Sequence, residues 1–335
     1  MNSSISASDS SDAAWSRWLL LIAVTTATST LVLLAFVVLV DPFSVGRLTP
    51  LARVDIVSAN RIYANAGRIR DPRFDAAVFG NSHAVRIHPE RLGNATGRRF
   101  VTLAINAMDP SDQALSMKAF DRAHSDQALV FVVVLDDFWC AEAPLKNPEY
   151  RLPRWLYGDS TLAYVGGVLS PEAVRGSFRR LKILAGYGSD AARPDGYQPG
   201  ESAQVRISGQ LRGMQRPTDA ANPQMPFPVL DQVERTLAQL RPEGAVLLVF
   251  TPAYAPYMQL GTKAAERLSA CKARARAIAQ VRPRTALLDL RVDGPKARNE
   301  ANFIDATHYG DGLARDVEAA MAERLNALLS ASGRP

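Results

Sequence analysis

Five short apolar runs that alternate with helical patterns constrain the fold of this chain more than any other feature. The runs lie at 74–79, 99–105, 128–135, 245–251 and 285–290, and each is apolar at consecutive positions. Parallel strands that are covered on both faces have this pattern. The helical patterns lie at 111–124, 228–241, 262–281 and 311–331. The sequence therefore predicts an α/β fold with a doubly wound, mainly parallel five-stranded sheet.

The interval 140–227 separates the third predicted strand from the fourth and interrupts this alternation. A structureless loop of such length is unusual inside a compact domain. We therefore predict an insertion with a helix at 171–184, which serves as a lid or a substrate-binding subdomain. Its segment 188–227 is polar and rich in Pro, Gly and Gln, and this composition predicts disorder or a mobile flap.

A second constraint is the run Trp18–Val40, which is 23 residues long and uncharged. A membrane-spanning helix needs about 20 residues, and Trp15 and Trp18 occupy the position of an interfacial aromatic belt. A cleaved signal peptide is the alternative, but its apolar core is shorter and ends at a small-residue site, whereas this run ends in VDPF. We predict an uncleaved helix at 16–40 that contacts the lipid bilayer through residues 18–40.

The predicted organisation has four parts: a disordered tail (1–14), a transmembrane helix (16–40), a connecting segment (41–73) and an α/β domain (74–330).

The side of the membrane on which the α/β domain lies is less constrained than the presence of the transmembrane helix. Only Arg17 flanks the near end of the helix, while Arg47 and Arg53 follow its far end. The positive-inside rule therefore slightly opposes export of the C-terminal domain.

Composition limits the partners and the metal chemistry. The net charge of +6 comes from arginines spread along the whole chain, without a basic block that contains aromatic residues, so no nucleic-acid partner is predicted. The two cysteines, Cys140 and Cys271, lack C-x-x-C spacing, so we predict no zinc site. They form either one disulfide of an exported domain or two buried small side chains, and the second is the default expectation.

The block FGNSHAVRIHPERL contains the candidate nucleophile. Ser82 follows Gly80 and Asn81 at the end of the first predicted strand, where open α/β sheets bind their ligands. A serine hydroxyl there is exposed, and nearby backbone N–H groups are available to a developing oxyanion. The local alternative is that Asn81 or Ser82 only caps the following helix.

The segment FIDATHYGDG contains the partners that such a serine needs. Asp305 and His308 lie three residues apart before the last predicted helix. The carboxylate would orient the imidazole, and the imidazole would accept the serine proton. In the alternative, Asp305, Thr307 or Asp311 begins the last helix and His308 is an incidental surface residue. His83 ranks second as the base, because a side chain adjacent to the nucleophile in sequence is expected to point elsewhere.

The order of these motifs resembles the SGNH (GDSL-like) hydrolase superfamily. Within it, the chain resembles the membrane-anchored bacterial branch that is linked to cell-surface polysaccharide and envelope acylation. The similarity spans roughly residues 35–320 and is carried by VDPF, FGNSHAVRIHPERL, VVVLDDFW and VFTPAYAPY. The resemblance implies Ser82 as the nucleophile, His308 as the base and Asp305 as its partner.

Two departures from the family pattern concern the oxyanion hole. The family places a glycine after the second strand and an asparagine after the third, whereas this chain has LAINAMDP and VLDDFW. We therefore expect the donors to be the Ser82 N–H and the Asn106 side chain. Asp136 and Asp137 would repel an oxyanion unless they are protonated, turned away or engaged elsewhere. Tyr254 and Tyr257 after the fourth strand either line the acyl or sugar site or only pack.

The resemblance implies an enzyme of the bacterial inner membrane with a periplasmic domain. It would form an acyl-serine and pass the acyl group to water or to a glycan hydroxyl, without a metal or an organic cofactor. A multispanning membrane partner would deliver the acyl group. The altered oxyanion positions favour a second hypothesis, a non-catalytic scaffold subunit of a polysaccharide assembly system. The arginine balance favours a third, a tethered esterase that faces the cytoplasm.

Overall fold

The computed structural model describes residues 7–51, 60–141, 151–187, 193–198, 224, 226–258 and 260–331. The strands are β1 (Ala76–Phe79), β2 (Phe100–Thr102), β3 (Val130–Leu135), β4 (Ala245–Phe250) and β5 (Thr285–Asp289). The helices are α1 (Ala7–Val40), α2 (Arg61–Ile69), α3 (Pro89–Thr96), α4 (Pro110–Ala123), α5 (Arg154–Tyr157), α6 (Thr161–Gly167), α7 (Pro171–Leu184), α8 (Pro228–Leu237), α9 (Lys263–Val281), α10 (Pro295–Arg298) and α11 (Asp311–Ser330), with 3₁₀ turns at Ala255–Met258 and Glu300–Asn302.

The five strands form one sheet in the order β2-β1-β3-β4-β5, and every neighbouring pair is parallel. The predicted α/β fold with five parallel strands is confirmed, and the sheet is all parallel rather than mainly parallel. The strand order reverses between β1 and β3, because the chain moves from β1 to one side for β2 and to the other side for β3. The carboxyl ends of strands at such a switch point border a crevice that is open to ligands.

Helices cover both faces of the sheet, as the apolar strands predict. Along β1, Ala77 and Phe79 belong to one core cluster, while Ala76 and Val78 belong to the other. The first cluster includes buried residues of α4, α8 and α9, and the second includes those of α3 and α11. Because successive side chains of a strand point to opposite faces, these two clusters form two layers of core around one sheet.

The apolar N-terminal helix is present, and its segment Ala14–Val40 is long and apolar enough to span a membrane. The helix α1 begins at Ala7, inside the segment that was predicted as a disordered tail; extending a helix costs far less than nucleating one. Its last turns pack into the domain, where Val37 is fully buried and Val40 nearly so. The helix α1 therefore continues directly into the folded domain.

The interval between β3 and β4 contains α5, α6 and α7, and α7 coincides with the helix predicted at 171–184. These helices contact α1, α2 and α4. The segment 188–227 that was predicted as a mobile flap lies outside the described residues, apart from 193–198, 224, 226 and 227. Its role as a lid or subdomain stays a prediction.

Cys140 and Cys271 form a disulfide, so the default expectation of two free cysteines is wrong. Both side chains are buried, as that expectation required. Cys140 lies just after β3 and Cys271 lies in α9, and their Cα atoms are 5.7 Å apart. The sequence separation of 131 residues concealed this proximity, which arises because α9 packs on the face of the sheet near the end of β3.

Candidate active site

The turn after β1 presents Ser82 at the carboxyl edge of the sheet. A Cβ atom on Gly80 would lie 2.6 Å from Cβ of Ala84 and 3.0 Å from Cβ of Val134, so only glycine allows the turn to lie this close to β3. The next helix, α3, begins at Pro89 with His88 as its N-cap. The alternative in which Ser82 caps that helix is therefore wrong, and its hydroxyl is available for other contacts.

Ser82, His308 and Asp305 form a continuous chain of hydrogen bonds. The Ser82 Oγ atom lies 2.7 Å from Nε2 of His308, and Nδ1 of the same ring lies 2.7 Å from Oδ2 of Asp305. When Nδ1 carries the ring proton, its N–H donates a hydrogen bond to the carboxylate, and Nε2 is then free to accept the proton of the serine. The last helix begins at Asp311, as one form of the local alternative predicted, so neither Asp305 nor Thr307 begins it.

The Asp305 carboxylate is fixed by its own loop. Its Oδ1 atom accepts the backbone N–H groups of Thr307 and His308, both at 2.8 Å. Burial alone would raise the pKa of this carboxyl, but the His308 ring and the two N–H groups outweigh burial and hold the pKa well below its usual range. Asp305 is therefore ionised at neutral pH and can stabilise a protonated His308.

A second hydrogen bond joins the two halves of the site. The Tyr309 hydroxyl donates to the backbone oxygen of His83 at 2.7 Å and is fully buried. The loop before α11 closes on itself through Ile304 N–H, which donates to the oxygen of His308 at 2.8 Å. The serine turn and the histidine loop are thus held in register by buried contacts, which limits how far the Ser82 and His308 side chains can separate.

The sequence position of His83 led us to expect that its side chain points away from the site, but it points into the site. Its ring stacks on the His308 ring with centroids 4.4 Å apart and an angle of 5° between the planes. Burial, and then the nearby His308 and Arg291, lower the pKa of His83 to about 3, so this ring is neutral. Its Nδ1 lies 2.9 Å from Oδ1 of Asn81, and Ser82 contacts His308 instead.

The two aspartates after β3 are both engaged by other residues. Oδ2 of Asp136 accepts the side-chain amide of Asn81, and its Oδ1 accepts the Phe138 N–H at 3.0 Å. Asp137 pairs with Arg291. Burial, and then the neighbouring Asp137, raise the pKa of Asp136 to about 7. Asp136 therefore holds the Asn81–Ser82 turn in place through its hydrogen bond with the Asn81 side chain.

The turn after β2 lies beside the serine turn, because Ile105 N–H donates to the oxygen of Gly80 at 3.2 Å. Asn106 is exposed there. The next residue, Ala107, has φ of 53°, in the left-handed region that favours glycine. This strained alanine occupies the stretch in which the sequence lacks the expected glycine, and strain of this kind costs on the order of 1 kcal/mol.

Tyr254 and Tyr257 have different surroundings. Tyr254 ties its loop to the histidine loop, because its N–H donates to the oxygen of Ala306 at 2.9 Å; its ring packs against Phe303. Tyr257 lines a cavity of about 220 Å³, together with Asp137 and Arg291. The cavity lies beside the candidate site, since Asp137 is the next residue after Asp136 and the charge of Arg291 lowers the pKa of His83.

Sequence reasoning missed Arg291, which is almost fully buried. Its Nε donates to the oxygen of Thr251 at 3.2 Å, it pairs with Asp137, and it lines the cavity. Nothing near it in sequence distinguishes it from the other arginines that are spread along the chain. Only the pairing of β4 with β5 brings it to the end of β3.

Asp136 predicts a measurable pH dependence of stability. Its pKa is raised on folding, so the folded state holds a proton that the unfolded chain loses above about pH 4. The contribution of Asp136 to the free energy of unfolding should therefore fall between about pH 4 and pH 7, by about 4 kcal/mol, and level off above pH 7. The lowered pKa of His83 contributes in the opposite direction up to about pH 6.5. Asp136→Asn removes only the Asp136 contribution, so between about pH 4 and pH 7 the free energy of unfolding of this variant should rise relative to that of the wild type, as measured by thermal unfolding of the full chain in detergent.

The exposed Asp316, which pairs with Lys296 on the surface, offers the matched control. Asp316→Asn should keep the wild-type slope across the same pH range. An equal slope for the wild type and Asp136→Asn between about pH 5 and pH 7 would show that Asp136 has no raised pKa.

Among the described residues, no group of three or more His, Cys, Asp or Glu side chains is arranged to hold a metal ion. Neither the protein-family models nor the curated proteins include a match to this chain.

Proposed function

We propose that this protein is a membrane-anchored serine esterase or O-acyltransferase of the SGNH type, which acts on acyl esters of a cell-envelope or exopolysaccharide. The acyl group that we favour is acetyl. One observation carries the proposal: Ser82 Oγ, the His308 ring and Asp305 are joined by two hydrogen bonds of 2.7 Å each. Such a chain of contacts is what activates a serine hydroxyl for acyl transfer.

The proposed reaction has two steps. Ser82 Oγ attacks the carbonyl carbon of the acyl ester and passes its proton to Nε2 of His308. The tetrahedral intermediate then breaks its bond to the leaving alcohol, which takes the proton from His308, and the acyl group stays on Ser82. In the second step His308 removes a proton from water or from a glycan hydroxyl, and that oxygen attacks the acyl carbon. The bond between the acyl carbon and Ser82 Oγ then breaks, and Ser82 takes the proton back from His308. Asp305 stabilises the protonated imidazole in both steps.

The oxyanion of each tetrahedral intermediate needs hydrogen-bond donors. The proposed donors are the Ser82 N–H and the Asn106 side chain, which lies on the turn beside the serine turn. The contacts of Asp136 with Asn81 and of Asp137 with Arg291 support this assignment, because they direct both carboxylates to other partners. Loss of a single donor typically costs about 10²–10³ in rate.

We propose that the domain lies in the periplasm, anchored to the inner membrane by α1, with a multispanning partner that delivers the acyl group. The Cys140–Cys271 disulfide supports export, because structural disulfides persist mainly in oxidising compartments. This argument outweighs the arginine balance that favoured a cytoplasmic domain. A reporter that is active only in the periplasm, fused after Pro335, tests the side: silence from a well-expressed fusion would exclude export.

The experiment that tests the activity is hydrolysis of p-nitrophenyl acetate by the full chain in detergent, with and without an added polysaccharide acceptor. The full chain is required because Val37 and Val40 pack into the domain, so a fragment that begins at residue 41 would lose part of its core. Ser82→Ala should abolish release of p-nitrophenol. Transfer of the acetyl group from p-nitrophenyl acetate to the polysaccharide would identify an acyltransferase, and release of acetate alone would identify an esterase.

The second candidate is a non-catalytic scaffold of a polysaccharide assembly system that keeps this fold. The observation that favours it is the presence of two aspartates where the family places an oxyanion donor. A folded wild-type protein with the same rate as Ser82→Ala would favour the scaffold over the enzyme.

A further inference from the structure

We propose that one face of α7 lies on an anionic lipid surface beside the end of the membrane helix. The face is formed by Arg175, Phe178, Arg179 and Lys182, and we call it the α7 lipid face. These four residues are exposed, and their spacing places them on one side of the helix. The proposal depends on α1 as a membrane anchor and is independent of the proposed enzyme activity.

The first argument is that α7 is fixed to the end of α1. Arg180 and Asp41 are both buried, and the Arg180 guanidinium donates to the backbone oxygen of Asp41 at 2.5 Å and to the Ser44 hydroxyl at 3.1 Å. A Cβ atom on Gly176 would lie 3.0 Å from Cβ of Pro42, so the two segments approach closely. The position of α1 in a bilayer therefore determines the position of α7.

The second argument is depth. The α1 residue Phe36 precedes Val40 by four residues, which corresponds to about 6 Å along a helix. If Trp18 marks one interface, a hydrocarbon core about 20 residues long ends near residue 38. The ring of Phe178 lies 5.3 Å from the ring of Phe36. Phe178 therefore lies at the boundary between acyl chains and headgroups.

The third argument is chemistry. Phe178 is 57% exposed, so its ring presents apolar surface beside its contact with α1. Arg175, Arg179 and Lys182 surround it with positive charge, and the acidic Glu172 pairs with Arg175 at 3.3 Å. A helix with cationic side chains around an aromatic ring suits the interface of an anionic bilayer.

Other large apolar side chains in this part of the chain are exposed as well: Leu162, Leu169, Leu184 and Tyr187. The contact of Phe178 with Phe36 makes the α7 lipid face continuous with the membrane-spanning helix, and this continuity favours lipid as its occupant.

The test measures the depth of single labelled positions in reconstituted vesicles. Both native cysteines are in the disulfide, so Phe178→Cys introduces one free thiol for an environment-sensitive fluorophore. Lys182→Cys is a second position on the α7 lipid face, in case loss of the Phe36 contact disturbs the helix. Val281→Cys is the matched control, because Val281 is 77% exposed at the end of α9.

We expect a lipid-borne doxyl quencher to quench the labels at 178 and 182 several-fold more than the label at 281. Soluble iodide should show the opposite order. The effect at 178 and 182 should be stronger in vesicles that contain phosphatidylglycerol than in phosphatidylcholine alone, and Arg179→Glu with Lys182→Glu should remove this difference at position 178.

Three results would overturn the proposal. Iodide quenching at 178 and 182 equal to that at 281 would show that the face is in water and available to another protein. Equal lipid quenching in neutral and anionic vesicles would exclude anionic lipid as its specific occupant. Iodide access near the middle of α1, measured with Ser29→Cys, would show that α1 itself does not insert.

Discussion

Replacing His308 with Ala is expected to lower the rate of ester hydrolysis by about 10⁴-fold or more. The serine hydroxyl would lose the only ring nitrogen that the described residues place within 2.7 Å of it, and the Ser82 proton would have no acceptor. The measurement is kcat and KM for p-nitrophenyl acetate with the full chain in detergent. Because the lost group acts on the reacting proton, kcat should fall and KM should change little.

His83→Phe is the matched control, since it keeps an aromatic ring against His308 and removes the ring nitrogens. The pKa of His83 is lowered to about 3, so its ring carries no charge that this substitution would remove. We expect a loss of less than about tenfold, through the missing contact with Asn81. If His83→Phe were as inactive as His308→Ala, His83 would be the base and the assignment of His308 would be wrong.

Replacing both Cys140 and Cys271 with Ala should lower the free energy of unfolding by about 2–5 kcal/mol. The bond closes a loop of 131 residues, and closing a long loop removes more conformational entropy from the unfolded chain than closing a short one. The bond also holds the end of β3, which carries Asp136 and Asp137, against α9. Thermal unfolding of the full chain in detergent measures the loss.

Reductant supplies the control for this substitution. It should lower the unfolding temperature of the wild type toward that of the double variant and leave the variant unchanged. An unfolding temperature of the wild type that does not respond to reductant under denaturing conditions would show that the two cysteines are not bonded.

The parallel sheet could be predicted because its signal is local. A run such as 128–135 is apolar at consecutive positions, and a strand buried on both faces needs this pattern wherever it lies in the chain. Ser82, Asp305 and His308 could be singled out for a related reason, because each lies at the end of a predicted element. In an all-parallel sheet those ends meet at one edge.

The features that were missed depend on contacts between distant segments. The stack of His83 on His308 requires the turn after β1 to face the loop before α11. Arg291 follows β5 and Asp137 follows β3. The two meet only because the sheet order places these strands on either side of β4. The disulfide depends on the packing of α9 in the same way. Residue type alone does not distinguish His83 or Arg291. The sequence left a Cys140–Cys271 disulfide open as an alternative, but it did not show that the packing of α9 brings the two cysteines together.

The anchor shows both situations in one helix. Its length and apolar composition predict a membrane span from the sequence alone. Its last turns, with Val37 fully buried, have the same composition as the exposed turns before them. A hydrophobic side chain is suited equally to lipid and to a protein core, so the sequence did not distinguish the exposed part of the helix from the part that packs on the domain.

Fluorophosphonate labelling of the full chain in detergent, beside Ser82→Ala, tests the central claim most directly. The reagent bonds covalently to a serine that a base has activated, and peptide mapping identifies the labelled residue. We expect labelling of the wild type at Ser82, no labelling of Ser82→Ala and strongly reduced labelling of His308→Ala. A wild-type protein that unfolds cooperatively yet takes up no label would contradict an activated serine at this site.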